Sequence, residues 1–279
     1  MSTAPPIGYL GPEGTFTELA TIRFFAGRPY RGIPYPDIAS ALHAVQEGEI
    51  MAAVVPAENS LEGTVSITLD VLVHEVDLFI VGEIVLPVVH HLLGKHKNLS
   101  AYTRVLSHPH ALAQCRRFLQ QYLPQALREP VISTAEAARL VGASDQPWAA
   151  IGTELAAARY GLDTVAREIQ DHAHNATRFI VCSRDTAGPT GNDKTSIAFS
   201  LPVDRPGELY HALGEFATRG INLTKIESRP AKKGMGLYIF FIDCEGHHTY
   251  PVVSQALSAL QARASFYKLL GSYPRHRED

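Results

Sequence analysis

The sequence predicts an α/β protein in two parts: a longer segment of strands alternating with helices, then a shorter βαββαβ unit. Three observations predict it. Over residues 1–184, short apolar runs alternate with stretches whose apolar residues recur at helical spacing, the pattern of βαβ units around a mainly parallel sheet. Residues 185–193, DTAGPTGND, carry no apolar period and read as a linker. From residue 194 the order becomes strand, helix, two strands, helix, strand, the ferredoxin-like arrangement. A chain of 279 residues has room for about two domains. The expected division is therefore 1–184, as one domain or two smaller lobes, a linker at 185–193, and 194–279.

In the first part, strands are expected at 7–11 (IGYLG), 51–58 (MAAVVPAE), 77–86 (DLFIVGEIVL), 103–108 (TRVLSH), 130–134 (PVIST), 148–152 (WAAIG) and 177–184 (TRFIVCSR). Helical spacing appears at 16–26, 38–48, 64–74, 109–121, 135–142 and 153–161. In the second part, 194–203 reads as a strand. Residues 207–220 read as a helix with Leu209, Leu213, Phe216 and Ala217 on one face and Gly220 at its end. Residues 221–230 and 236–244 read as strands around a Lys-Lys-Gly turn, 251–264 as a helix opened by Pro251, and 265–273 as a last strand.

Composition narrows the function. Hydrophobic residues make up 46% and charged residues 19%, which excludes disorder over most of the length. The net charge of −3 argues against a general nucleic-acid binder, while leaving room for a local basic pocket. No apolar run approaches the ~20 residues that span a bilayer, and the first residues lack the basic start and apolar stretch of a signal peptide. Cys115, Cys182 and Cys244 lie far apart with no C-x-x-C, so reduced thiols in the cytoplasm are expected.

Strand ends in the first part are repeatedly followed by a small or hydroxyl residue and a helix. Gly14-Thr15 follows the first strand, and Thr15 with Glu18 fits a capping box. Ser60 closes PAENS at the end of an apolar strand, and Thr64 follows it. Ser107, with Pro109 at a first helical position, opens HALAQCRRF. Ser133 with Glu136 fits another box, and Thr153 precedes ELAAARY. Crossover helices would bring these junctions to one sheet edge, where free N–H groups and helix dipoles favour anions. Any one such residue is an ordinary cap; their number points to a small anionic ligand.

Four stretches, GPEGTFTELA (11–20), PAENSLEGTV (56–65), SHPHALAQC (107–115) and IQDHAHNATRFIVCSR (169–184), resemble in sequence and in order the signature stretches of prephenate dehydratases. PGELYHAL (206–213) and INLTKIESRP (221–230) resemble the regulatory ACT domain that follows in that family. The resemblance covers roughly residues 7 to 273. It implies a two-lobed catalytic domain similar to periplasmic binding proteins, with the site in its cleft, followed by the ferredoxin-like ACT domain. The implied reaction converts prephenate to phenylpyruvate with loss of water and CO2. Implied too are a homodimer or homotetramer and phenylalanine as feedback effector at ACT–ACT contacts. No segment for a fused chorismate mutase is expected, because the dehydratase pattern begins by residue 7.

Prephenate carries two carboxylates, a ketone and a ring hydroxyl. The catalyst must help the hydroxyl leave while one carboxylate departs as CO2, which asks for a hydrogen-bond donor at the leaving oxygen and anchors for the pyruvyl carboxylate. The resemblance places the family's critical threonine at Thr177, a neutral hydroxyl better suited to hydrogen bonding than to full proton transfer. It places a substrate-binding asparagine at Asn59 and a further site residue at Gln114. Ser60 adjoins Asn59 after an apolar strand and suits binding an oxygen. Glu58 is a candidate general acid if burial raises its pKa, or an orienting group. Arg178 can hold a carboxylate through parallel bonds, or form a structural ion pair, since it and Thr177 point to opposite faces of a strand. Thr15, Ser107, Thr153 and Asn175 are further binding candidates. Effector contacts are expected from Gly207, Leu209, Asn222, Leu223, Glu227, Ser228, Arg229 and Pro230.

The chain departs from the family pattern at His110, often Gln, and at Gly207-Glu208-Leu209, usually Gly-Ala-Leu. Glu208 suits a helix N-terminus but bears on how an effector binds there. His172-Ala-His174 and His108-Pro-His110 have metal-site spacing but no completing cluster, so neither metal nor cofactor is expected. His108 is a cleft candidate, and His247-His248 reads as a solvated turn. Arogenate dehydratase, which acts on the aminated analogue, and a non-catalytic binding protein are the competing functions.

Overall fold

The computed structural model describes residues 4–203, 205–231 and 238–276. The first part runs β1 (Pro6–Leu10), α1 (Phe16–Phe24), β2 (Arg31–Tyr35), α2 (Ile38–Gln46), β3 (Ala52–Asn59), β4 (Gly63–Thr64), α3 (Ser66–His74) and β5 (Phe79–Pro87). It continues with β6 (His91–Gly94), β7 (Arg104–Ser107), α4 (Pro109–Gln114), α5 (Arg116–Tyr122), β8 (Leu127–Pro130), α6 (Thr134–Ala143), β9 (Trp148–Gly152), α7 (Glu154–Tyr160), β10 (Asp163–Ala166) and β11 (Ala176–Ser183). The last part is β12 (Asp193–Ser200), α8 (Glu208–Ala217), β13 (Leu223–Pro230), β14 (Tyr238–Glu245), α9 (Pro251–Arg263) and β15 (Phe266–Pro274), the expected βαββαβ order.

Among the described residues the strands form three sheets. The first has the order β2-β1-β3-β11-β5, with β4 folded back on β3; the second has the order β10-β6-β9-β7-β8. The second is not mainly parallel, as the alternation predicted. β7 pairs parallel with β8 and β9, but β6 runs antiparallel to both β9 and β10. β6 and β10 carried no strand pattern that stood out from their flanks. β2 (RGIPY) was hidden by Arg, Gly and Pro; it pairs in parallel at the end of its sheet, a position where proline is tolerated.

Other boundaries moved for local reasons. The expected helix 109–121 breaks at Cys115, whose ψ of 19° ends α4 and precedes α5. The expected strand 130–134 is displaced to β8. Ile132 is 82% exposed and Ser133 caps α6. α3 starts at Ser66 rather than 64 because Gly63 and Thr64 pair with Asn59 and Glu58. Asp193, read as the last linker residue, begins β12 and is buried, accepting from Thr190, the Gly191 amide and Tyr250. His247 is 1% exposed, not solvated: its ring meets Thr249 and the Ala187 carbonyl. The Lys232-Lys233-Gly234 turn lies outside the described residues.

The chain divides into two compact units. One takes in residues up to Ala41, Val54–Val65 and Val85–Phe179; the other takes in Leu42–Ala53, Ser66–Ile84 and Ile180 onward. β3, β5 and β11 are shared, because the division falls inside them. In the first unit, α6 and α7 cover one face of the second sheet through Ala137, Ala138, Val141, Ala156 and Ala157 against Leu93, Leu106 and Ala150. The other face buries Leu92, Val105, Ala149 and Ile151 with Cys115 and Leu119. Small alanines let the helix backbones approach the strands.

In the second unit, β12–β15 form an antiparallel sheet of order β13-β14-β12-β15. α8 and α9 bury Phe216, Val253, Leu257 and Leu260 against Ile197, Phe199, Ile242 and Cys244. β15 also meets the 66–84 segment. Lys268 reaches the Val76 carbonyl (2.6 Å), and Lys194 on the adjacent β12 pairs with the buried Glu83 (2.9 Å). Gly271 has φ +145°, and a Cβ there would lie 2.2 Å from the Ile80 oxygen. Gly271→Ala is expected to lower stability by about 2–4 kcal/mol, measured by denaturant unfolding of the full chain, because the obstacle is backbone and cannot rotate away.

Candidate active site

The PAENS stretch ends β3 in a hairpin into β4, and Asn59 organises its turn. Its Oδ1 accepts from the amides of Leu61 (2.9 Å) and Glu62 (3.0 Å), the local geometry for which asparagine is suited. Its Nδ2 donates to Asn175 Oδ1 (2.8 Å), Thr177 Oγ1 (2.9 Å) and the Ala176 carbonyl (3.2 Å). Ser60 binds the same segment: its hydroxyl accepts from the Ala176 amide (3.0 Å) and donates to the His174 carbonyl (3.3 Å). The hairpin end and the strand start at 174–177 are thereby held together.

Asn175, 3% exposed, extends the network by donating through Nδ2 to Gln114 Oε1 (3.1 Å). Gln114 is the last residue of α4, where the helix stops at Cys115 and its carbonyl accepts from the Asp171 amide (2.6 Å). Among the described residues its Nε2 meets Glu62 Oε1, at 3.5 Å. Thr177 Oγ1 accepts from Asn59, which leaves the Thr177 O–H to donate outward. The structure thus brings together Asn59, Ser60, Gln114, Asn175 and Thr177. Arg178, on the next strand position, instead approaches Glu58 Oε2 (3.7 Å) with its side chain 13% exposed. Glu58 is 41% exposed at its side chain, so the burial on which its role as an acid depended is missing.

Thr15, Thr153 and Ser107 stand in other roles. Thr15 caps α1, accepting from the Glu18 amide and donating to the Leu10 carbonyl. Glu18 reaches back to the Gly14 amide and pairs with Arg159. Thr153 caps α7 and donates to the Gly14 carbonyl (2.8 Å). Ser107 is fully buried and donates to the Ile151 carbonyl (2.8 Å); the cap of α4 is the His108 ring. These hydroxyls are engaged within the fold. No group of three or more His, Cys, Asp or Glu able to hold a metal occurs among the described residues.

One neighbour carried no motif. His90 lies in the apolar run LPVVHHLLG, is 3% exposed, and places Nε2 3.0 Å from Gln114 Oε1. Phe16 packs edge-on to its ring, with centroids 5.7 Å apart. Burial pulls the His90 pKa down to about 4, against the opposing effect of Gln114 and with a smaller push from His91. The only available signal was a histidine inside an apolar run, which by itself reads as core.

In the second unit, β13 alternates half-buried and exposed residues along its length. The pairing with β14 shifts register between Leu223 and Lys225. Glu227 and Arg229 share the half-buried side with Lys225. Arg229 Nε lies 3.4 Å from Asp70 of α3, and its Nη1 3.7 Å from Glu227. Ser228 and Pro230 occupy the exposed positions. Gly207, at φ +91°, begins α8, and Leu209 packs on the helix-covered core with Leu223. The Asn222 carbonyl accepts from the Glu245 amide (3.0 Å).

The chain thus combines an α/β part carrying an amide-rich hydrogen-bonded cluster with a following βαββαβ unit. Comparison narrows this to a family. Residues 7–187 match the family model for prephenate dehydratase, and residues 195–262 match that for the ACT domain. A bifunctional chorismate mutase/prephenate dehydratase of Aquifex aeolicus is 44% identical over 96% of this chain and 73% of its own length. The crystal structure of the prephenate dehydratase of Arthrobacter aurescens in complex with L-Phe superposes with a TM-score of 0.89 at 40% identity, over 97% of this chain and 90% of that one. A structure described as a novel type of quorum quenching acylase, GqqA, superposes at 0.87 with 32% identity, over 97% and 98%. The chain belongs to the prephenate dehydratase family and carries the ACT domain at its C-terminal end.

The burial of His90 has a pH consequence. The unfolded ring, near 6.5, takes a proton that the folded ring refuses until about pH 4, so its contribution is complete above 6.5 and is lost as pH falls toward 4. His90→Gln is expected to flatten that part of the acid slope, read from denaturant midpoints of both proteins across the range.

Proposed function

We propose that the chain is a phenylalanine-regulated prephenate dehydratase, converting prephenate to phenylpyruvate with release of CO2 and water. The observation that carries this is the Asn59–Thr177 hydrogen bond inside the matched family segment. It turns the threonine hydroxyl into an acceptor on one side and a donor on the other.

In this reading, Thr177 donates a hydrogen bond to the departing ring oxygen. The C–O bond breaks as the C–C bond to the carboxylate on the opposite ring carbon breaks; that bond's electron pair passes through the ring double bonds to complete the aromatic ring, and the departing hydroxide takes a proton from solvent to leave as water. The accepted bond from Asn59 polarises the threonine O–H. Developing charge on the leaving oxygen is therefore met by a preset donor. Gln114 Nε2, held loosely at 3.5 Å by an exposed glutamate, is the second donor available to substrate oxygens. Ser60 and Asn175 hold these two groups in place, while Glu58 and Arg178 form an adjoining ion pair whose cation suits a substrate carboxylate. Thr15, Ser107 and Thr153 serve as supports of the surrounding loops.

Residues 1–184 form the catalytic part, 185–193 the connection and 194–279 the effector part. Phenylalanine is taken by the Gly207–Leu209 and Asn222–Pro230 segments, and a homodimer or homotetramer forms through ACT–ACT contacts. The end position of β13 in its sheet and the 49% exposure of Ile226 support that association. A cytoplasmic setting is supported by three buried cysteines, none in a disulfide. No helix among the described residues is long and apolar enough to cross a membrane.

Thr177→Ala is expected to lower kcat by about 100-fold while prephenate binding survives, as followed by phenylpyruvate formation and by calorimetry. Unchanged turnover would remove Thr177 from the mechanism. With the full chain, L-phenylalanine is expected to bind and to suppress turnover; no heat of binding and no change in rate would defeat the regulatory reading. Arogenate and acylase assays on the same preparation, the latter prompted by the 32% identical acylase structure, separate the nearest alternatives.

A further inference from the structure

Two backbone amides determine the orientation of four side chains. The N–H groups of Leu61 and Glu62 can only donate, so the Asn59 atom facing both is oxygen and the other end of that amide is nitrogen. That nitrogen can only donate, so the Asn175 atom 2.8 Å away is Oδ1. Asn175 therefore turns its nitrogen toward Gln114, and the Gln114 atom that receives it at 3.1 Å is Oε1. An amide oxygen only accepts, so the His90 nitrogen 3.0 Å from it carries hydrogen. The neutral ring then has a bare lone pair at Nδ1, and that atom is buried with no hydrogen-bond partner among the described residues.

We propose that His90 is a positioning residue for the reaction. Its Nε2–H, together with Asn175, fixes the Gln114 amide so that Gln114 Nε2 is presented to substrate as a donor. Two donors converge on Gln114 Oε1, and reversing the amide would set nitrogen against nitrogen in both contacts. The ring itself is held. Phe16 lies edge-on to it, its amide donates to Gln170 Oε1 (3.0 Å), and its carbonyl accepts from the Ile169 amide (2.9 Å). A second proton would place an N–H at Nδ1 with no acceptor, in agreement with the burial that keeps the ring neutral. The charged and titratable groups around this arrangement include His91 beside it in sequence, Glu62 with His110 beyond Gln114, and Asp171, whose amide donates to the Gln114 carbonyl.

The role of Gln114 toward substrate rests on the dehydratase reading; the hydrogen-bond directions do not. Nitrogen-15 NMR of the histidine-labelled full chain tests the directions. His90 is expected as a neutral ring with hydrogen on Nε2 and a bare Nδ1 from about pH 6 to 8. Kinetics with prephenate test the role. His90→Phe is expected to lower kcat/KM about tenfold, the scale of one hydrogen bond. His90→Gln, which can keep an N–H near the same place, is expected to recover most of that loss. His90→Phe combined with Gln114→Ala should be no worse than Gln114→Ala alone. A ring with hydrogen on Nδ1, a His90→Gln variant as damaged as His90→Phe, or additive losses in the double variant would each overturn the proposal. If His90→Phe fails to fold, the wild-type ring and His90→Gln still decide. Lack of prephenate turnover by wild type alongside the expected ring state would remove the dehydratase reading, and with it the role of Gln114, without altering the hydrogen-bond directions.

Discussion

The carboxamide of Asn59 joins segments that are far apart in the chain. One end is tied to the turn that follows β3, and the other reaches the segment 175–177 that opens β11. A carboxylate at this position would satisfy only one end, and an alkyl group neither. An aspartate would still accept from Leu61 and Glu62, but it would turn a second oxygen toward the Asn175 and Ala176 oxygens. The site's geometry follows from this constraint. Thr177 is aligned because Asn59 donates to it, and Gln114 because Asn175 has been oriented in turn.

The hydroxyl residues that head α1, α6 and α7 each satisfy a free helix amide, and Thr153 also ties α7 to the Gly14 carbonyl. Glu18 completes the first of these by reaching the Gly14 amide, one position before the usual partner of a capping box. Glu136 instead turns to Arg139, so the second box is only half formed. These interactions use hydroxyls other than that of Thr177, which accepts from Asn59, while Gln114 Nε2 is met by Glu62 at 3.5 Å.

Much of the architecture was legible from periodicity. The C-terminal unit appeared in its full order because its helices and most of its strands bury a clear apolar face, β13 being the exception, with Lys225, Glu227 and Arg229 on its half-buried side. β2, β6 and β10 were not legible, because short strands stabilised mainly by neighbours need no strong pattern of their own. The caps at Thr15, Ser133 and Thr153 could be read locally, since a cap depends on residues three positions apart. Whether such a hydroxyl also faces a ligand depends on distant partners such as Gly14 for Thr153 and Ile151 for Ser107, which local sequence does not contain. Gln114 and Thr177 were accessible only through family resemblance, Asn59 also through its place directly after an apolar strand, and His90 through neither route.

The three cysteines give the chain separate internal clocks. Cys115 is packed beneath the second sheet, Cys182 lies in β11, and Cys244 sits in the helix-covered core of the last sheet; all are buried. Burial pushes each thiol up, that of Cys244 to about 12. Thiolate is the reactive form, so an alkylating reagent in neutral solution meets a cysteine only after its surroundings open. The order in which the three become labelled therefore reports which part of the fold opens first, without any added probe.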